Sequence, residues 1–155
     1  MEPGERISLK YASGAATYET VVALDGQVRR VASAAALSEP LVELVRIRVS
    51  QLNGCAFCLR MHTADALAGG KATDRIAVLA AWRETSYFSG AERAALALAE
   101  AVTRLVDRPV PHEVKQAAVD ALGAEGAAAT VWIAIAMNAW NRIAVAGRYP
   151  VGPEG

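Results

Sequence analysis

Apolar residues recur along the chain at helical spacing, in stretches separated by short breaks of glycine, proline, asparagine and serine. No segment sustains a two-residue alternation, so the pattern predicts helices and no strands. Between the breaks, alanine, leucine, glutamate and arginine dominate, all good helix formers. The first expected helix spans about 14–31. The second opens at Ser38, a good N-cap residue, with Glu39 and Pro40 in its first turn. It runs to about 52, where Asn53 and Gly54 tolerate the left-handed conformation that ends helices. The third starts near Cys55 and stops at Gly69 and Gly70, and the fourth covers about 73–83. The fifth opens on Ser89 and Glu92, the spacing of a capping box, and runs to about 106. Pro109 and Pro111 separate it from a sixth, which Gly123 closes, and a last apolar helix ends near Gly147.

Two of these helices have informative faces. On the second, Leu41, Val45, Val49 and Leu52 make an apolar stripe with Leu44 beside it, while Glu43, Arg46, Ser50 and Asn53 make a polar one. The last helix is apolar nearly all round, which implies burial on several sides. A small domain rarely encloses a helix so fully, so an oligomer is expected. The run 127–146 has about the length of a membrane span, which needs about 20 mostly apolar residues. Thr130, Asn138, Asn141 and Arg142 interrupt it, so it reads as a core or subunit-interface helix with no membrane partner.

Length and charge narrow the class. With 155 residues the chain fits one domain, 1–155, with a core over about 14–148 and flexible termini. A domain of that size buries about two thirds of its unfolded surface and needs no disulfide staples. The formal net charge is zero and charges are mixed along the chain, which excludes the basic stripe of a nucleic-acid binder. The amino-terminal segment carries Glu2, Pro3, Glu5 and Arg6 and no apolar stretch, unlike a signal peptide. A cytoplasmic protein is expected. In that compartment a close cysteine pair is more often catalytic or metal-binding than structural.

That pair is the only cysteine content, in the run Ser50-Gln51-Leu52-Asn53-Gly54-Cys55-Ala56-Phe57-Cys58. Two cysteines at C-x-x-C spacing on a helix start can close a disulfide within one turn and reopen it by exchange. A helix amino terminus favours negative charge and so favours the nucleophilic thiolate. His62 follows Cys58 by four residues and Cys55 by seven, on the same helix face. Its imidazole can accept a thiol proton. Glu43 lies on the preceding helix, and the Asn53-Gly54 turn can fold its polar stripe onto the cysteine face, where a carboxylate can serve as base.

Other readings of these residues exist. The cysteines can be small buried hydrophobes. Cys55, Cys58, His62 and Glu43 can form a zinc site, although structural zinc sites usually draw ligands from two separated clusters and no second cluster is present. Glu43 alone reads as a surface ion pair with Arg46, and His62 alone as an ordinary helix histidine. His112 reads as a surface residue at a helix start. Asn138 and Asn141 read as buried hydrogen-bonding groups, and Trp82, Trp132 and Trp140 as packing.

Taken together, Glu43, eleven residues, Cys55-x-x-Cys58, three residues and His62 resemble the pattern of the alkylhydroperoxidase D-like proteins, within the wider carboxymuconolactone decarboxylase family. The run from Ser50 to Cys55 strengthens the likeness, as does Asn138-Ala139-Trp140-Asn141-Arg142, typical of one small branch. The resemblance implies an all-α helical bundle assembled as homotrimers or homohexamers. It implies a peroxidase without cofactor or metal, in which Cys58 attacks a hydroperoxide and becomes a sulfenic acid, and Cys55 resolves it to a disulfide. Glu43 and His62 relay protons, and a dithiol reductant resets the pair. Position alone favours Cys55, nearer the helix end, as the attacker; the family pattern favours Cys58.

One position departs from the pattern. The best-known peroxidases of the group carry a second histidine just before the second cysteine, where this chain has Phe57. Phenylalanine relays no proton, which brings in a rival expectation: a non-enzymatic redox sensor or dithiol carrier. The C-x-x-C pair argues against a lactone-acid decarboxylase, because those members do not depend on it.

Overall fold

Helix α2 (Glu39–Asn53) is buried without interruption from Leu41 to Ser50. Such burial requires neighbours on every face. In the computed structural model, which describes residues 14–70 and 73–153 together with Ile7 and Leu9, α3 (Ala56–Ala68), α5 (Gly90–Thr103) and α6 (His112–Ala146) pack against α2. Helix α1 (Ala15–Ala34) lies along α6, and α4 (Thr73–Ala77) leads into a 3-10 helix, Leu79–Glu84. No strand occurs among the described residues, so the fold is all-α as the periodicity predicts. The segment carrying Glu2, Pro3, Glu5 and Arg6 lies outside the described residues.

The packing explains the burial of α2. Val28 and Ala32 of α1, Val45 and Val49 of α2, and Ile133 and Met137 of α6 share one apolar cluster, which also takes in both cysteines. The opposite side of α2 gives Leu44 and Ile47 to a second cluster with Leu79, Trp82, Phe88 and Leu96. The polar stripe therefore is not a solvated face. Glu43, Arg46, Arg48 and Ser50 are all buried, and each must find partners inside the protein. Arg48 does so through Glu100 of α5, whose carboxylate accepts from Arg48 Nε at 2.6 Å, Arg83 Nη1 at 2.7 Å and Trp82 Nε1 at 2.8 Å. That one side chain ties α2, α5 and the 3-10 helix together.

The boundaries differ in instructive places. The expected helix 73–83 is broken, with Ala81 at φ −113° and ψ 31°. Arg93 donates to the carbonyls of Trp82, Thr85 and Arg83, so a side chain of α5 satisfies backbone groups that a continuing helix would have used. The capping box of Ser89 and Glu92 is present in both directions. Ser38 caps α2 with its carbonyl only, which accepts from Leu41 and Val42, and its hydroxyl makes no capping bond. The first helix extends to Ala34 and the fifth stops at Thr103. Gly123 does interrupt the carboxyl-terminal helical run, at φ 74° and ψ 167°, a conformation open essentially to glycine alone. Helix α6 is long and apolar enough to cross a membrane by length and composition. It buries Ala129, Ile133, Ala134 and Met137 against the other helices, while Trp132, Ile135 and Val145 remain exposed.

Candidate active site

The turn between α2 and α3 sets the cysteines in place. Gly54 takes the left-handed conformation, φ 65° and ψ 33°, and its N–H donates to Gln51 O. Cys55 N–H donates to Ser50 O at 3.0 Å, so the chain reverses at once and α3 begins. Cys55 is the N-cap of α3: its Sγ accepts from Cys58 N–H at 3.3 Å. Both sulfurs thus sit in the first turn, at the positive end of the helix dipole. Both are free thiols and both are buried, at 1% and 2% exposure.

The two are not equivalent. A cavity of about 710 Å³ opens beside α3, lined by Phe57, Cys58, Met61 and His62, by Trp140 and Ala144 of α6, and by Tyr149 and Pro150 beyond it. Tyr18, Asp25 and Arg29 of α1 complete it, with Ile7 and Leu9. Cys58 faces this space and Cys55 is not among its lining residues. Phe57 is a wall, meeting the Tyr149 ring edge-on at 5.1 Å between centroids.

His62 lines the same cavity and donates from Nδ1 to Glu43 Oε2 at 2.9 Å. An ionised carboxylate accepts only, so Nδ1 carries a proton, and in the neutral imidazole the lone pair is on Nε2. The other oxygen of Glu43 accepts from Arg46 Nη1 at 2.6 Å, and Asp25 lies 3.8 Å from Arg46 Nη2. Burial alone would push the Glu43 carboxyl up, but His62 and Arg46 hold it below the usual carboxylate range. Glu43 also lines a second, polar cavity of about 310 Å³ with Arg29, Glu39 and Asp65. The Glu43–His62 pair therefore stands between the two spaces. The ion pair of Glu43 and Arg46 exists as expected, but it is buried instead of lying at the surface.

The Cys58 thiol is pushed up to about 12, chiefly by burial and then by its hydrogen bond with Cys55, against a lowering hydrogen bond from Asn141. At rest Cys58 is a protonated thiol. The ligand set for zinc does not assemble: among the described residues the donor atoms of Glu43, His62 and Asp65 converge within 4.8 Å, and neither cysteine joins them.

Comparison with known proteins places this arrangement. Residues 15–101 match the model of the carboxymuconolactone decarboxylase family. The chain belongs to the carboxymuconolactone decarboxylase family. Over 104 residues it is 43% identical to the uncharacterized protein YdfG of Bacillus subtilis (strain 168), covering 67% of this chain and 71% of YdfG. A crystal structure of a protein of unknown function from Agrobacterium tumefaciens, designated a candidate antioxidant defence protein AhpD, superposes with a TM-score of 0.86. That likeness spans 96% of this chain and 99% of the other at 30% identity, and it gives the all-α fold the motif implied.

Within this member of the family, the structure joins Glu43 to His62 and Cys55 to Cys58, and sets Cys58 and His62 on one cavity. Sequence reasoning undervalued two residues. Arg46 reads as a surface partner of Glu43 yet is 3% exposed and fixes that carboxylate from inside. Asn141 reads as one more buried amide yet accepts from Asn53 and donates to Ser50, which ties α6 to the polar stripe of α2 just before the cysteine turn. The signal for Arg46 was its place in the polar stripe with Glu43. For Asn141 no local pattern exists, because its partners are about ninety residues away.

Proposed function

We propose that this protein is a thiol-dependent peroxidase that reduces organic hydroperoxides. The observation that carries the reading is the placement of Cys58 on a cavity with Cys55 at hydrogen-bond distance behind it. In the first step the Cys58 sulfur attacks the outer oxygen of the hydroperoxide. An S–O bond forms, the O–O bond breaks and the alcohol leaves. The thiol proton passes to His62 Nε2, held by Glu43, and returns to the leaving alkoxide. In the second step Cys55 attacks the Cys58 sulfenic acid; the S–S bond forms and water leaves. A dithiol reductant then opens the disulfide by two exchanges and is itself oxidised to a disulfide.

The cavity supports an organic substrate, since Phe57, Met61, Trp140 and Tyr149 give it mostly apolar walls. The apolar surface left on α6 by Trp132 and Ile135 supports assembly of the chain with copies of itself, as a homotrimer or homohexamer. The test is consumption of an organic hydroperoxide with a dithiol reductant present. The reading requires that Cys58→Ser abolish it, and a Cys58→Ser protein as fast as the parent overturns it. Phe57 favours a second reading, a dithiol carrier with little peroxidase activity. Slow reaction with hydroperoxides, combined with rapid exchange of the disulfide, would select that one.

A further inference from the structure

The way the chain leaves α6 puts its next residues beside the thiol cavity. Arg148 N–H donates to Val145 O at 3.2 Å and Tyr149 N–H to Ala144 O at 3.0 Å, the two bonds of a Schellman ending. They satisfy carbonyls that a helix end would otherwise leave unmet. The ending requires a left-handed residue, and here it is Arg148, at φ 48°, where glycine is usual. Pro150 follows and cannot continue the helix. The Tyr149 ring lies close over Gly147: a Cβ on Gly147 would stand 3.0 Å from the ring and 2.8 Å from Ile143 O. Only glycine lets the ring settle there.

Two contacts fasten this segment, 147–153, to α3. The Tyr149 ring meets the Phe57 ring edge-on, with 5.1 Å between centroids and 87° between planes. Farther along, Gly152 O accepts from Arg60 Nη1 at 3.2 Å. Phe57 and Arg60 are three residues apart, so both fastenings lie on one side of α3. Gly147, Tyr149 and Pro150 line the cavity together with Phe57 and Cys58. Phe57, which relays no proton, thus clasps the segment beside the sulfur.

We propose that the segment 147–153 is a strap closing one side of the thiol cavity, and that the Phe57–Tyr149 contact is the specificity-determining element that selects uncharged aryl hydroperoxides over small ones. The proposal rests on the peroxidase reading for its class of ligand, but its first test needs no turnover. A cavity of about 710 Å³ has room for far more than a peroxide group. An aryl group inside it gains from rings already fixed in place, Phe57 and Tyr149 on one side and Trp140 of α6 on another. A small peroxide leaves those walls unused. The charged residues of the lining, Asp25 and Arg29, are paired with each other at 3.0 Å, which suits a ligand without charge.

The experiment uses the full chain with Cys55→Ser, which leaves one thiol and keeps a good N-cap. Cys58 is alkylated by iodoacetamide at a fixed pH while 2-phenyl-2-propanol, the alcohol released from cumene hydroperoxide, is titrated in as a cavity ligand. The reading is the alcohol concentration that gives half protection. Tyr149→Ala and Phe57→Ala are each expected to raise it by about 10-fold. Because the two rings make one contact, the double variant should raise it little further, well short of the roughly 100-fold of independent sites. Single variants within twofold of the parent, an additive double variant, or a parent that the alcohol does not protect each overturn the proposal. If Tyr149→Ala does not fold, Phe57→Leu takes its place, since it removes the ring and keeps an apolar side chain; a several-fold rise supports the proposal and an unchanged value overturns it. In turnover, the ratio of kcat/KM for cumene hydroperoxide to that for hydrogen peroxide should fall by about 10-fold in Tyr149→Ala. A general loosening of the site would slow both substrates and leave the ratio where it was, which would overturn the proposal. Protection as expected in a parent that reduces no hydroperoxide would leave the strap standing and remove the peroxidase reading instead.

Discussion

The buried thiol makes a sharp prediction about pH. With Cys58 pushed up to about 12 by burial and the Cys55 hydrogen bond, the anionic fraction at neutral pH is roughly one in 10⁵. Any reaction that needs the preformed thiolate must then accelerate about tenfold for each pH unit up to that midpoint. Alkylation by iodoacetamide is such a reaction, since iodide leaves without a proton. Reduction of a hydroperoxide is different, because the leaving alkoxide needs the proton that the thiol loses. His62, with Nδ1 bound to Glu43 at 2.9 Å, can in its neutral form take that proton on Nε2 and move it within the site. The peroxide reaction should therefore show a pH slope well below that of alkylation.

The assay is a pair of rate profiles on the Cys55→Ser chain, one with iodoacetamide and one with cumene hydroperoxide, the latter read by trapping the sulfenic acid. The perturbation is Glu43→Gln combined with Arg46→Met, so that no unpaired charge is left where the carboxylate was. In the parent the peroxide profile should be shallow. In the double variant it should steepen to the alkylation slope, with a loss of about 10²-fold in rate near neutral pH, the usual scale of a positioned proton carrier. Identical slopes for the two reagents in the parent would refute the relay, whatever the absolute rates.

Four further outcomes follow from the same structure. Glu43→Gln alone should cost about 3 kcal/mol in denaturant unfolding, because it leaves the buried Arg46 with only the longer ion pair to Asp25 at 3.8 Å; adding Arg46→Met should recover most of that loss, and no recovery would contradict the pairing. Phe57→His should raise hydroperoxide turnover by about tenfold or more by adding a proton carrier beside Cys58, measured as coupled dithiol oxidation. Burial alone would raise the Glu100 carboxyl, but Trp82, Arg83 and Arg48 hold it below the usual range. Its stabilisation is complete above that range and is lost as pH falls through its folded value, so Glu100→Gln should lower stability near neutral pH and show a weaker loss on acidification, as followed by circular dichroism. Gly123→Ala should cost about 1–3 kcal/mol from backbone strain alone, since φ is 74° and no atom stands within 4 Å of the added methyl group; a neutral result in thermal unfolding would remove that account.

The fold was legible because its punctuation is local. The Gly54 turn, the Ser89–Glu92 capping box and the break at Gly123 each depend on residues within a few positions of one another. What escaped the sequence depends on distant partners. The helix expected over 73–83 breaks because Arg93, on another helix, takes up its carbonyls. The polar stripe of α2 was legible as a stripe, yet its burial was not, since Glu100 and Asn141 lie about 50 and 90 positions from the residues they satisfy. The cysteine, histidine and glutamate positions came from motif spacing. The arginine behind the glutamate and the amide that holds Ser50 came only from the packing.

That difference bears on how the site can work. Ser50 and Asn141 have been taken out of water and Asn53 and Asn138 partly so, and each unmet bond in the buried part would cost about 1–3 kcal/mol. The network is therefore rigid: moving Asn141 breaks its bonds to Ser50 and Asn53, and moving Asn53 disturbs Asn138 in turn. A thiol held protonated in such a frame is a poor target for reagents that carry no proton acceptor. It becomes a nucleophile when an occupant of the cavity gives its proton somewhere to go. Under the proposed function, selectivity for a hydroperoxide over a generic electrophile then follows from the proton requirement, and the ratio of cumene hydroperoxide to iodoacetamide rates at neutral pH measures it. The ratio should fall by about 10²-fold when Glu43 and Arg46 are replaced together. An unchanged ratio would mean that the carboxylate and its arginine take no part in moving the thiol proton, and that the selectivity has another source.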